Sequence, residues 1–555
     1  MVHRLNSENE WDYVIVGGGA AGCVLANRLS ADPGRRVLLL EAGGWDRSPL
    51  IRIPAGTYRM PRRYDWSYAA APDASRGGKG DTFAAGKVLG GGSSVNMTFW
   101  VRGERSDFDG WRDAGCPGWG YDDVLPYFKR SETFAGGESE YRGGSGPVAV
   151  RPVPLRLEVI DDFLAAAEEA GHSPNPDYNG ERQQGVSLAQ VSQRRGWRAS
   201  TARAYLAPVR KRSNLTIRTG ALVTRIGVNG GRATGVEYQH DGQQRFARAA
   251  GEVVLSAGAI ASPKLLMLSG IGPAGHLREH GIDVCLDLPC VGANLQDHAY
   301  GMLVYATTAS TLGEELRPRR ALRHLAHFAI RGRGALTVAG GVAVVFSQVT
   351  GDQPTEAEII LMPIGLSFEG DHHDIHSVRK GPGVMVYPSF VHPTSRGTIR
   401  LAASSPAAPP VISHELVSDT DMQALIAACR EARDIFRTTV MKARSATETL
   451  PGGSVQTDEQ WKSYLRAFSF RPHHPTGTCR MGSDDSAVVD PRLRLHGVEG
   501  LRVADASIFP TITSGNTNAP TIMVAERAAD LILGRTASYP HAHSCLASKP
   551  LCGPG

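Results

Sequence analysis

The sequence predicts an α/β chain, α+β overall, in which a Rossmann-like nucleotide-binding domain is interleaved with a second domain built on an antiparallel sheet. Three observations predict it. An apolar run near the start ends in a glycine turn and passes into a helical pattern, a second apolar run delivers an acid, and a stretch of short alternating runs follows late in the chain. With 555 residues the chain is too long for one ordinary domain.

The first element is the strand Asp12-Tyr13-Val14-Ile15-Val16, closed by Gly17-Gly18-Gly19-Ala20-Ala21-Gly22. From Cys23 to Leu29 the apolar positions recur at helical spacing. The strand Arg36–Leu40 then brings Glu41, followed by Ala42, to a place 19 positions after Gly22. A dinucleotide-binding unit needs this spacing: Gly17 for the tight turn, Gly19 for backbone approach to a pyrophosphate, Gly22 for close helix packing, and the acid for a ribose hydroxyl. A carboxylate there repels a 2′-phosphate, so FAD or NAD is expected rather than NADP. The positive end of the helix favours the phosphates.

The glycines and serines between Gly86 and Asn96 are expected to interrupt regular structure and bring backbone close to a ligand. Gly251–Leu255 reads as a buried strand, with a turn to Pro263 and a helix from Lys264 stopped by glycine at 270–272. Gly301–Ala306, Glu358–Met362, Val384–Tyr387 and Thr398–Leu401 read as strands of one antiparallel sheet. Residues 541–555 read as a loose tail.

Composition narrows the function. Hydrophobic residues make up 41% and the net charge is +5, without a basic block, which excludes nucleic acid and an anionic membrane as expected partners. No apolar run reaches the roughly 18 residues of a spanning helix. The 8 cysteines form no metal-binding or CxxC pattern, and no secretory pattern precedes the first strand. The expected location is cytoplasmic, and no metal is expected.

These motifs resemble those of the glucose-methanol-choline (GMC) family of FAD-dependent oxidoreductases. The resemblance rests on Gly17-x-Gly19-x-x-Gly22 with Glu41, on Gly86–Asn96 running on to Trp100, Gly103 and Asp109, and on Gly258–Pro263 running on to Gly272. It rests also on His473-His474-Pro475-Thr476-Gly477 with Leu501–Ser507 and Ser514–Thr521. The resemblance implies a discontinuous FAD domain (1–155, 206–300, 476–540) and a substrate domain (156–205, 301–475). It implies cofactor contacts from Gly17, Gly18, Gly19, Ala20, Gly22, Glu41, Ala42, Trp66, Val88, Gly91, Asn96, Val223, Asp505, Ala506, Asn518 and Thr521.

It also implies a catalytic pair, His474 and Asn518, with His473 lining the substrate pocket. Alcohol oxidation removes the hydroxyl proton as hydride leaves carbon for flavin N5, and a neutral imidazole suits the first task. An asparagine amide steadies the same oxygen without charge. Asn518 also heads a helix with Pro520 in its first turn, whose positive end favours negative charge on a reduced flavin. Asn294–His298 matches a recurring family segment and reads as structural. Where some members tether FAD through histidine this chain has Val95, so non-covalent FAD is expected. The expected reaction is oxidation of a primary alcohol to an aldehyde, with O2 or a quinone or carrier as acceptor. Lyase or decarboxylase chemistry on the same flavin fold is the alternative. Oligomeric state is left open.

Overall fold

The computed structural model describes residues 10–315, 318–349, 355–365 and 381–535. The expected tail, with Cys545 and Cys552, lies outside them.

The strand Glu10–Val16 (β1), the helix Ala20–Leu29 (α1) and the strand Val37–Glu41 (β2) follow one another directly. β2 is buried along its whole length, as a parallel strand covered on both faces must be. Leu215–Thr219, β2, β1 and the last half of Gln243–Leu255 run parallel, and Leu501–Val503 extends the parallel set. The first half of Gln243–Leu255 turns back on Arg232–His240, which pairs with Leu222–Asn229 in antiparallel register. One long strand thus joins a parallel sheet to a meander.

The second sheet is antiparallel, with Thr447–Leu450, Leu303–Ala306, Gly383–Phe390, Thr355–Met362, Ala343–Val349 and Gly185–Leu188 in that order. Its residues alternate between two environments. Leu303, Val345, Ile359, Leu361, Val384 and Val386 face a core shared with the helices Glu158–Glu169, Asp419–Phe436 and Asp458–Phe468. Val304, Val344, Phe346, Ile360, Met362 and Met385 face the other way, against Phe99 and Val101.

Three expectations change. Gly92–Val95 forms one helical turn within the glycine-rich stretch, since four residues suffice for it once Gly90 and Gly91 have turned the chain. The helix expected from Lys264 begins at Gly258. Pro263 sits inside it and leaves the Ala259 carbonyl without its helical donor, and the Thr478 hydroxyl supplies one at 2.5 Å. Thr398–Arg400 pairs with Val411–Ser413 in a separate ribbon, and Ile399, Leu401 and Ile412 pack into the first core, not the second sheet. Among the described residues no helix is long and apolar enough to cross a membrane.

Candidate active site

The glycine turn is built as its spacing requires. A Cβ on Gly22 would lie 1.8 Å from the Gly17 carbonyl oxygen, so α1 packs on the turn only because that position is bare. A Cβ on Gly19 would meet nothing nearer than the Ser256 oxygen at 3.8 Å. The protein itself therefore makes no demand for glycine at 19, which leaves room for a ligand. Gly19 caps α1 without a side-chain acceptor, so no side chain competes for its first-turn N–H groups. Glu41, at the end of β2, accepts from Gly18 N at 2.8 Å and Gly43 N at 2.7 Å. Burial pushes its carboxyl up, and these N–H groups and Lys87 oppose the shift. Each oxygen keeps a lone pair for a ribose hydroxyl. A dinucleotide fits this cradle.

The Gly86–Asn96 stretch closes over the turn. Gly90 N donates to Gly18 O at 2.7 Å, and a Cβ on Gly91 would lie 2.7 Å from Gly19 Cα. Ala20 opens α1 and Ala42 follows β2 half-buried. Val88 is buried beside Gly44. Trp66 stacks on Tyr68 under the Lys87 ammonium. The Asn96 side-chain Oδ1 accepts from Thr98 N and Arg198. Val223 lies half-buried opposite Tyr238. Asp505 spends its carboxylate on Gly258 N, Ser262 and Ser507 N, which fixes the start of the Gly258 helix, while Ala506 O accepts from Gly477 N. Thr521 turns its hydroxyl back to Thr517 O.

His474 is buried in a loop strapped to the Asn294–His298 segment. Gln296 and Thr476 exchange both backbone hydrogen bonds in antiparallel register, which sets His298 across from His474. His474 N also donates to Asp297 Oδ1 at 2.8 Å. His298 Nε2 lies 3.0 Å from the Val391 carbonyl, and its Nδ1 lies 3.1 Å from His474 Nδ1.

A carbonyl only accepts, so His298 carries its proton on Nε2. Burial pushes His298 down to about 4, which keeps it neutral with a lone pair on Nδ1. The proton between the two rings therefore belongs to His474 Nδ1, and His474 Nε2 is the free base. Burial, then His298 and His473, hold His474 well below the ordinary imidazole range.

The amide facing that lone pair is Asn516, whose Nδ2 lies 2.9 Å from His474 Nε2. Asn518, expected there, is the first residue of the helix Asn518–Ile532, and the hydrogen bond to His474 comes from Asn516 two positions earlier. Two asparagines stand two positions apart, and Pro520 was the available signal. Proline is favoured in the first turn, which matches 518 as the first helical residue and 516 in the loop. Asp107 holds that loop, accepting from Ser514 N at 2.8 Å and Ser514 Oγ at 3.0 Å. Gly515, at φ +107°, lets it pass Val101. His473, at φ +65°, is exposed and accepts from Ala84 N. Arg28 clasps Glu526 at 2.7 and 2.9 Å and ties α1 to the Asn518 helix.

The GMC oxidoreductase family profile matches residues 11–300 and 393–525. An oxygen-dependent choline dehydrogenase of Sinorhizobium medicae (strain WSM419) is 40% identical over 539 residues, covering 94% of this chain and 96% of that protein. The crystal structure of pyridoxine 4-oxidase from Mesorbium loti superposes with a TM-score of 0.85 at 30% identity, covering 95% of this chain and 100% of that one. An FAD-dependent oxidoreductase from Chaetomium thermophilum superposes with a TM-score of 0.85 at 28% identity, covering 94% and 99%.

Proposed function

The chain belongs to the GMC oxidoreductase family, and on that premise we propose that it oxidises a primary alcohol to an aldehyde with His474 as the base and Asn516 as its partner. It is an FAD-dependent oxidoreductase acting on CH–OH donors. The observation that carries the assignment of roles is the chain Val391 carbonyl, His298, His474, Asn516, which leaves the Nε2 lone pair of His474 as the only unprotonated imidazole nitrogen aimed at the amide of Asn516.

The substrate hydroxyl takes its place beside His474 Nε2 and accepts from Asn516 Nδ2. As the C–H bond gives up hydride, the hydroxyl proton moves to Nε2. The Nδ1 proton stays on His474 and is donated to the His298 lone pair, so the new charge is stabilised by a neutral acceptor. Bound FAD supplies the hydride acceptor. The glycine turn, α1 and Glu41 would hold its pyrophosphate and ribose, and Val95 would offer no covalent tether.

The finer features are inferences of the same kind. Residues 1–155, 206–300 and 476–540 form the FAD domain, joined by the 398–413 ribbon, and the antiparallel sheet supports the substrate. The six described cysteines are all free, which supports a reducing compartment, the cytoplasm. Electrons leave to O2 or to a quinone or carrier, and the rate of recolouring on admitting air decides between them. No observation favours the lyase or decarboxylase alternative.

The test is alcohol-dependent bleaching of the bound flavin under anaerobic conditions. His474→Ala is expected to keep its FAD and lose bleaching by roughly 10²-fold or more. An unchanged rate overturns the assignment.

A further inference from the structure

The inward face of the antiparallel sheet carries a fully buried carboxylate among mostly apolar residues. On Thr355–Met362 the alternate residues Ile360 and Met362 face Phe99 and Val101, and Glu358 occupies the same side, 1% exposed. Tyr300 Oη donates to Glu358 Oε2 at 2.7 Å. The other oxygen, Oε1, is buried and has no hydrogen-bond partner.

This carboxylate adjoins the reacting pair. The Tyr300 ring centroid lies 6.4 Å from that of His474. Glu358 Oε1 lies 3.6 Å from the point where a Cβ on Gly515 would stand, and Gly515 immediately precedes Asn516. Phe470 meets Tyr300 edge-on at 5.7 Å and Tyr387 stacks on it at 6.3 Å, so the tyrosine that donates to the carboxylate sits in an aromatic cluster.

Burying a carboxylate with one neutral donor is costly, and a residue that served packing alone would be apolar. Its proton is correspondingly hard to remove, burial pushing the group up to about 7. A cation that brings an N–H to Oε1 would supply the missing partner and offset the cost of burying the charge.

Building on the alcohol-oxidation reading, we propose that Glu358, steadied by Tyr300, is a substrate-specificity residue that binds a protonated amine, and that the substrate is an amino alcohol whose ammonium carries at least one N–H. The hydroxyl end reaches His474 and Asn516 while the ammonium end meets Glu358 Oε1. The group is a binding residue and takes no proton from the reacting carbon.

The test uses the FAD-loaded enzyme at pH 8 with isosteric alcohols. 2-(Dimethylamino)ethanol, as its ammonium, and 3-methyl-1-butanol share a shape and differ in charge; choline carries the charge without an N–H. The wild type is expected to prefer the amino alcohol to its neutral isostere at least tenfold in kcat/KM, with choline between them. Glu358→Gln is expected to remove most of that preference through KM, leaving the neutral isostere within about threefold. Equal rates for the isosteres in the wild type overturn the proposal, whether or not the variant folds. An equal loss on both substrates in Glu358→Gln also overturns it, since that marks a packing role. If neutral alcohols bleach the flavin and cationic ones do not, the specificity proposal fails and the oxidation reading stands. If no alcohol bleaches it, the oxidation reading itself fails.

Discussion

The Nδ1 atoms of His298 and His474 lie 3.1 Å apart, with the two rings at 85° to each other. This contact decides which nitrogen of His474 is basic. Replacing His298 by phenylalanine removes the acceptor for the Nδ1 proton and frees the ring to adopt the other tautomer. The rate of flavin reduction is expected to fall roughly tenfold to a hundredfold with FAD retained. Glutamine, which offers both a carbonyl and an amide N–H, is expected to recover part of it. Stopped-flow bleaching of the two variants checks both outcomes.

Asn516 and Asn518 separate cleanly by the same measurement. Asn516→Ala is expected to slow bleaching about 10²-fold, since it removes the amide facing His474 Nε2. Asn518→Ala, at the first position of a helix, is expected to change it by less than about threefold. The reverse ranking would return the pair to the assignment expected from sequence.

Two pH limbs are expected. His474, the proposed base, is held well below the ordinary imidazole range, so with a neutral alcohol kcat/KM is expected to be flat from roughly pH 6.5 upward and to fall only in more acid solution. With an amino alcohol a second limb is expected near 7, rising as Glu358 ionises. Tyr300 donates to Glu358 and Tyr178 couples to it, while Asp297, which accepts from His474 N, is pushed up to about 7 by its own burial. The limb belongs to Glu358 only if it is absent with the neutral isostere and disappears in Glu358→Gln.

The same carboxyl has a stability consequence. Its folded value, about 7, lies above the 4.5 of an unfolded chain, so the folded state resists its ionisation. Stability is therefore full below 4.5 and is lost as the pH rises toward 7, by roughly 3 kcal/mol. Glu358→Gln, which cannot ionise, is expected to melt higher than wild type at pH 8 and close to it at pH 5, by thermal scans at both values.

The glycine turn makes a paired prediction. Gly22→Ala drives a Cβ to 1.8 Å from a backbone oxygen and is expected to cost roughly 3 kcal/mol or more, with loss of soluble yellow protein. Gly19→Ala meets nothing in the protein closer than 3.8 Å, so it is expected to fold and to hold FAD at least tenfold more weakly, measured by titration of the apoprotein.

The sequence by itself determined the dinucleotide turn, because each requirement there is local: a bare position at Gly22 under α1, a turn at Gly17, an acid at the end of the next strand. The motif around His474 singled that residue out as well, as the candidate base. Tertiary structure alone decided what surrounds that residue. His298 and His474 are 176 positions apart, and only the antiparallel bridge between Gln296 and Thr476 sets them opposite each other. Glu358 looks like any acid in a strand until the pleat turns it inward beside Tyr300. Asn516 and Asn518 are chemically identical side chains, and where the helix begins gave one of them to His474. Local backbone demands are written in neighbouring residues, whereas protonation and specificity depend on register and burial between segments that the chain order leaves far apart.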